Sequence, residues 1–146
     1  MRDFYPVKNA PADTILPKRK TKRSAGYDFF LPCDVHLEPK STSKIIPTNV
    51  KAAMPEEEVL LLFIRSSIGI KKNIVLANGT GIIDADYYSN PDNDGNIGIA
   101  KQNNSDDSVY LKKGERIMQG VFVKYGVCDS DECEDERTGG FGSTGR

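Results

Sequence analysis

The run Ile83-Asp84-Ala85-Asp86-Tyr87 puts two carboxylates two positions apart beside an aromatic ring. On a strand, side chains alternate between faces, so Asp84 and Asp86 would share one face. Two negative charges that close repel each other, and the pair implies a metal, a cation or a water to deprotonate. The plainer alternative is two solvated acids at a turn end. Just upstream, Ala77-Asn78-Gly79-Thr80-Gly81 reads as a tight hairpin, with the Asn-Gly step that such turns favour. A hairpin of this kind exposes backbone N–H and C=O groups that can read the edge of a base.

Two other stretches suit anions. Arg65-Ser66-Ser67-Ile68-Gly69 directly follows an apolar run that ends at Ile64. An arginine, two hydroxyls and a glycine at a strand end suit a cluster of phosphate oxygens. The same residues also suit a short helical turn capped by Ser66 or Ser67, and a helix N-terminus itself attracts anions. The chain closes with Arg137-Thr138-Gly139-Gly140-Phe141-Gly142-Ser143-Thr144-Gly145-Arg146. Its glycines let backbone N–H groups converge on an anion, while Ser143 and Thr144 add hydroxyl donors. Phe141 stands alone as the aromatic. An ordered lid over a flat, phosphorylated ligand would use all of these parts. No Gly-Lys-Ser/Thr follows the glycines, so the tail is not a P-loop.

The elements that must hold these residues are strands. Helical periodicity is nearly absent. Short β-branched and aromatic segments, bounded by Gly, Pro, Asn and Asp, predict strands at Tyr27–Leu31, Ser43–Ile46, Val59–Ile64, Asn73–Leu76, Gly81–Asp84, Asn96–Ala100, Ser108–Leu111 and Ile117–Lys124. Many short strands between turns predict an all-β sandwich or barrel. In Lys113-Gly114-Glu115-Arg116-Ile117-Met118-Gln119, Gly114 makes a turn into the last strand, and Glu115 with Arg116 suits an ion pair. Residues 1–127 read as one barrel domain, 128–136 as an acidic linker and 137–146 as the glycine-rich lid. Lys18 to Arg23 is basic at five of six positions and suits a surface loop or an anion-attracting rim.

Composition narrows the chemistry. The 146 residues carry 20 Lys+Arg against 21 Asp+Glu, net −1, which argues against holding nucleic acid or anionic lipid by bulk charge. The longest apolar run, Val59 to Ile64, is far short of a membrane span. The N-terminus reads Met1-Arg2-Asp3-Phe4-Tyr5-Pro6, with no apolar signal segment, so a cytoplasmic setting is the expectation. The single histidine, His36, alternates with Val35 and Leu37 and should face away from them, which leaves a carboxylate as the base of any enzyme here. Cys33, Cys128 and Cys133 read as free thiols. A chain this small, without tryptophan, calls for oligomer contacts to finish its core.

Taken in order, Ser24-Ala25-Gly26-Tyr27-Asp28, Arg65-Ser66-Ser67, Gly81-Ile82-Ile83-Asp84-Ala85-Asp86-Tyr87, Gly114-Glu115-Arg116-Ile117-Met118-Gln119 and Gly139-Gly140-Phe141-Gly142-Ser143-Thr144-Gly145 resemble the five ordered motifs of the trimeric dUTP pyrophosphatases (dUTPases). The resemblance runs from about residue 24 to the C-terminus. It implies a distorted jelly-roll β-barrel, a homotrimer with active sites at subunit interfaces, and a mobile C-terminal arm that completes a site. It implies hydrolysis of dUTP to dUMP and pyrophosphate, which keeps dUTP low and supplies dUMP for thymidylate synthesis, with Mg2+ held mainly by the triphosphate.

The same resemblance assigns roles. Asp84 looks like the general base for the attacking water, and Tyr87 like the ring under the deoxyribose. Asn78 and the backbone around Gly81 and Ile83 look like the uracil readers. Arg65, Ser66, Ser67 and Gln119 look like phosphate ligands, and Asp28 like the acid that orients magnesium-bound water. Phe141 would stack on uracil, while Arg137, Gly142, Ser143 and Thr144 would close over the phosphates. Three features depart from the family: Ser67 where glycine is usual, the extra residues Ser89 to Asp94 before Gly95, and an arginine-to-phenylalanine spacing in the tail one residue short. The Ser89–Asp94 loop is a candidate surface for a protein partner. One rival reading is a nucleotide-sensing or protein-binding trimer. Another is a dCTP deaminase relative, which Ala100 disfavours because the catalytic glutamate of those enzymes would stand there.

Overall fold

The computed structural model describes residues 1–142, so Ser143 and Thr144 lie outside the described residues. In chain order the strands are β1 (Asp3–Pro6), β2 (Tyr27–Phe30), β3 (Val35–Leu37), β4 (Ile46–Pro47), β5 (Val50–Ala53) and β6 (Glu58–Ile64). A short helix, α1 (Ser66–Lys72), follows β6. Then come β7 (Ile74–Leu76), β8 (Gly81–Asp84), a 3₁₀ turn (Ala85–Tyr87), β9 (Gly98–Ile99), β10 (Lys101–Asn103), β11 (Val109–Leu111) and β12 (Arg116–Lys124). The main sheet has the antiparallel order β2-β12-β6-β8. Two-stranded pairs β1-β5, β10-β7, β11-β3 and β4-β9 wrap around it. This is a jelly-roll arrangement of short strands that exchange partners between sheets.

The inner face of the main sheet explains why the chain collapses this way. Leu60 and Leu62 alternate inward along β6 and meet Phe29, Ile117 and Met118. Phe4 on β1 closes the end of this core, its ring 5.5 Å from Phe29 and 5.4 Å from Phe122. Gly120 lies where a Cβ would come within 2.9 Å of Leu60, so that crossing needs glycine. Arg2 pairs with Glu58, otherwise buried at the start of β6, and this pairing holds the Glu58 carboxyl below its ordinary value.

The outer face of the same sheet is also apolar. Leu61 of β6 lies in register with Ile82 of β8 and Val121 of β12, Val59 with Val123, and Phe63 with Gln119. Ile82, Phe63 and Val123 are exposed. His36 projects from β3 away from buried Val35 and Leu37, as its alternation predicts, and stacks on Tyr110 across the pair at 4.3 Å. Cys33, Cys128 and Cys133 are exposed free thiols. Among the described residues, no helix is long and apolar enough to cross a membrane.

Four local expectations are corrected. The segment after β6 is helical, but Arg65 occupies its N-cap with no side-chain bond, and Ser66 and Ser67 are its first helical residues. Ala77 to Thr80 is not a paired hairpin, because β7 pairs with β10 while β8 pairs with β6. Asp84 ends β8 while Asp86 sits in the 3₁₀ turn, so the two do not share a strand face. Arg116 pairs with Asp28 rather than Glu115, whose carboxylate accepts from the Lys112 amide.

Candidate active site

β7 and β8 run into one turn yet belong to different sheets, and between them a cleft opens. Its wall is Leu62, Leu76, Asn78, Gly81, Ile82, Ile83, Asp84, Tyr87, Gly98, Ala100, Arg137, Phe141 and Gly142, with Ile99 and Met118 behind. The cleft measures ≈ 260 Å³, close to the lower end of small-molecule pockets, which start at about 300 Å³. The turn is built by Gly79 at φ +74, with its N–H donating to Leu76 O at 2.9 Å and the Thr80 N–H to Asn78 O at 2.9 Å. Gly81 admits no side chain, since a Cβ there would lie 2.9 Å from Leu62. Among the described residues, β7 and β8 each ladder with one strand only, and both contribute residues to the cleft wall.

Tyr87 forms the floor. Its ring is buried, and Oη donates to Asn96 O at 2.9 Å while accepting from Asn93 Nδ2 at 2.8 Å. Burial pushes its hydroxyl above the ordinary value, against the pull of the Asn93 bond and of Arg137. Asp84 stands at the mouth with its side chain half exposed. The C-terminal arm covers the cleft of its own chain. Arg137 Nη2 donates to Asp84 Oδ2 at 2.5 Å and Nε to Asp86 Oδ1 at 2.7 Å, with the guanidinium 5.7 Å from the Tyr87 ring centre. Phe141 meets Tyr87 edge-on at 6.5 Å.

A second cluster lies at the far end of the main sheet. Buried Asp28 takes Arg65 Nε at 3.3 Å on Oδ1 and Arg116 Nη1 at 3.1 Å on Oδ2. Arg65 Nη1 also donates to Arg116 O at 3.2 Å. Gln119 sits opposite Asp28 in register, and Gly26 leaves it room, because a Cβ there would collide with Gln119 Oε1. Lys18, at the head of the basic stretch, bridges to Asp28 through its backbone. The sequence does not announce that Asp28 fixes the two arginines, although acid and bases of opposite charge on neighbouring strands carry the signal.

The predicted site residues thus fall into two groups. Asn78, Gly81, Ile83, Asp84, Tyr87, Arg137, Phe141 and Gly142 meet at the cleft. Arg65, Ser66, Ser67, Gln119 and Asp28 do not line it. Asp84 pairs with Val59, and Arg65 lies six residues further along the strand line of β6, roughly 20 Å away at strand rise. Among the described residues, no three His, Cys, Asp or Glu side chains converge as a metal cage.

Fold and cleft define an all-β protein with a cleft between two strands, beside a carboxylate and under a glycine-rich arm. A family model described as dUTPase matches residues 12–145. A deoxyuridine 5'-triphosphate nucleotidohydrolase of Lactococcus lactis is 49% identical over 132 residues, covering 89% of this chain and 87% of the relative. The dUTPase structure from Streptococcus mutans superposes with TM-score 0.80 at 41% identity, over 88% of this chain and 99% of that one. The Staphylococcus phage 80alpha dUTPase with dUPNHPP gives 0.75 at 29% identity, over 100% and 99%. The chain belongs to the dUTPase family.

Proposed function

We infer that this protein hydrolyses dUTP to dUMP and pyrophosphate, and we propose that Asp84 is the base that activates the water. The observation that carries the proposal is the carboxylate of Asp84 at the mouth of the cleft between β7 and β8, beside the buried ring of Tyr87. Uracil would enter between the two strands and be read by Asn78 and the backbone at Gly81 and Ile83. The deoxyribose would lie on Tyr87, whose ring would leave no room for a 2′-hydroxyl. Asp84 takes one proton from water as its oxygen forms a bond to the α-phosphorus. The bond from that phosphorus to the bridging oxygen breaks, pyrophosphate leaves with the electron pair, and Asp84 returns its proton to solvent. This asks the protein for placement and charge stabilisation, not for a covalent intermediate.

Arg65, Ser66, Ser67 and Gln119 are proposed phosphate ligands contributed by a neighbouring copy, since one chain holds them roughly 20 Å from Asp84. The apolar outer face of the main sheet, with Leu61, Phe63, Ile82 and Val123, lies between the two clusters and is the proposed seat of that copy. A homotrimer with shared sites follows from the family reading. Residues 1–127 form the barrel in this proposal, 128–136 the linker and 137–146 the lid. Phe141 would cover the base, and Arg137, Gly142, Ser143 and Thr144 the phosphates.

Mg2+ is the proposed metal, and the donor set fits an ion carried in by the triphosphate rather than caged by protein. Asp28 is one carboxylate whose oxygens each already meet an arginine, leaving lone pairs for a water of the metal shell. The ion would supply charge neutralisation on the triphosphate. A cytoplasmic setting remains the proposal for location. A protein partner at the exposed residues of the Ser89–Asp94 loop is a further proposal, with Ser89, Pro91 and Asp92 facing solvent. The deciding experiment is pyrophosphate release from dUTP, dTTP, dCTP and UTP with and without magnesium. Release confined to dUTP and magnesium supports the assignment. Ammonia release from dCTP, or tight binding without turnover, overturns it.

A further inference from the structure

We propose that the Ser89–Asp94 insertion seats the C-terminal arm, with Asp92 as the positioning residue for Gly140; this rests on the dUTPase reading of the site. The insertion is tied to the barrel at its base. Lys51 Nζ donates to Asp94 Oδ1 at 2.8 Å and to Ser89 Oγ at 3.0 Å, and the Lys8 N–H donates to Asp94 Oδ2 at 2.7 Å. Its backbone is turned tightly, with Ser89 at φ 55 and Asp94 at φ 58. Gly95, at φ 78, packs so closely that a Cβ would lie 2.8 Å from Tyr87 O.

Within that frame Asn93 has one orientation. Its Oδ1 accepts from Asn90 Nδ2 at 2.8 Å and from the Gly95 N–H at 3.1 Å. Buried Asn90 is braced in turn by Tyr87 O at 2.8 Å and by the amides of Asp92 and Asn93. The Asn93 amide nitrogen therefore points at the cleft floor, where it donates to Tyr87 Oη at 2.8 Å. The arm meets it there. Gly139 and Gly140 are buried, and the Gly140 N–H donates to Asp92 Oδ2 at 3.4 Å. A Cβ on Gly140 would stand 2.9 Å from Asn93 Nδ2 and 3.1 Å from the Tyr87 ring. Gly140 is thus shaped to the insertion. Asn93 Nδ2 and Asn96 O both hold the Tyr87 hydroxyl, whereas the Asp92 carboxylate takes the Gly140 N–H, so loss of the Asp92 side chain acts on the arm and not on the floor of the cleft. The insertion sets how long the lid stays shut over substrate.

The test uses the full chain carrying Asp92→Ala, which removes the acceptor of the Gly140 N–H and keeps the Asn90 and Asn93 bonds that shape the loop. Hydrogen exchange at the Gly140 amide, with a non-hydrolysable dUTP analogue bound, should quicken about fivefold, the weight of one hydrogen bond. KM for dUTP should rise by a similar factor with kcat little changed. In a chain ending at Glu136, Asp92→Ala should leave the affinity for the analogue unaltered. Unchanged exchange at Gly140, or an equal loss of affinity in the shortened chain, overturns the proposal. Failure of the unaltered protein to hydrolyse dUTP would strike the catalytic reading instead, while exchange at Gly140 would still report on the seat.

Discussion

Arg137 bridges Asp84 and Asp86 across the mouth of the cleft, Nη2 to Oδ2 at 2.5 Å and Nε to Oδ1 at 2.7 Å. The side chain of Arg137 is only 12% exposed there, clasped between the carboxylates and the Tyr87 ring. The repulsion between the two acids is thus answered by the chain's own arginine. A triphosphate offers that guanidinium a stronger partner. In the proposed reaction its arrival would draw Arg137 off Asp84 and leave the carboxylate free to accept a proton.

Asp84→Asn should keep affinity for a non-hydrolysable dUTP analogue within a few-fold and lower kcat by about 10²–10⁴. Calorimetric titration and pyrophosphate release measure the two. An asparagine variant that turned over at the native rate would remove Asp84 from the mechanism.

Asp84→Asn and Arg65→Ala should each be inactive alone and partly active together. Mixed oligomers refolded at equal ratio place an intact Asp84 and an intact Arg65 in about a quarter of the sites, if the two come from different copies. Absence of any recovered activity would locate the two residues in one chain's site.

A chain ending at Glu136 should assemble like the full protein and lose about a hundredfold in kcat/KM, comparable to removing a charge-stabilising donor. Residues 128–136 are exposed throughout and contribute nothing to the core. Light scattering and pyrophosphate release check the two halves of the expectation.

Much of this was legible because alternation is a strong signal. The strands Gly81–Asp84 and Val59–Ile64 stand within a residue of where the sequence puts them, since their apolar residues must face a core. β1, β5 and β10 escape such reading. Pro6 ends β1, β5 is Val-Lys-Ala-Ala, and β10 is Lys-Gln-Asn, so their strand character comes from partners far along the chain. The site was legible residue by residue through ordered motifs, but not its division. That Asp28 braces Arg65 and Arg116, and that the arm rests on Asp92, depend on registers that no local pattern encodes.

Lys101 offers a test of the core. It is fully buried on β10, and its Nζ has no hydrogen-bond partner among the described residues. Burial lowers its pKa from 10.5 to about 8. Below pH 8 the amine is charged folded and unfolded, and the folded state carries the cost. Between about 8 and 10.5 the folded state releases the proton first, so stability should rise with pH across that window. The displacement corresponds to about 3–4 kcal/mol at about 1.4 kcal/mol per pH unit. Lys101→Met should raise stability at pH 7 and flatten the rise in denaturant titrations. A methionine variant less stable at pH 7 would show that the amine is satisfied in the assembled protein.

The acid side should depend on Asp94. The hydrogen bond from Lys51 and that from the Lys8 amide hold its carboxyl below the ordinary range. Its contribution is therefore present above the unfolded value of about 3.9 and lost as pH falls through the lower folded value. Lys51→Met should flatten this acid limb, read from melting temperatures between pH about 3 and 7. An unchanged limb would mean that the Lys8 amide alone fixes Asp94.

The parting of β7 from β8 has a consequence for recognition. Each strand finds a ladder partner elsewhere, so the chain presents, at the turn that joins them, an unfinished sheet one rung wide. A pyrimidine that slips into that vacancy is treated as a fragment of polypeptide would be, by its pattern of donors and acceptors. Under the proposed function, discrimination between uracil and cytosine would be a question of strand complementarity, written in main-chain atoms that a point substitution cannot easily erase.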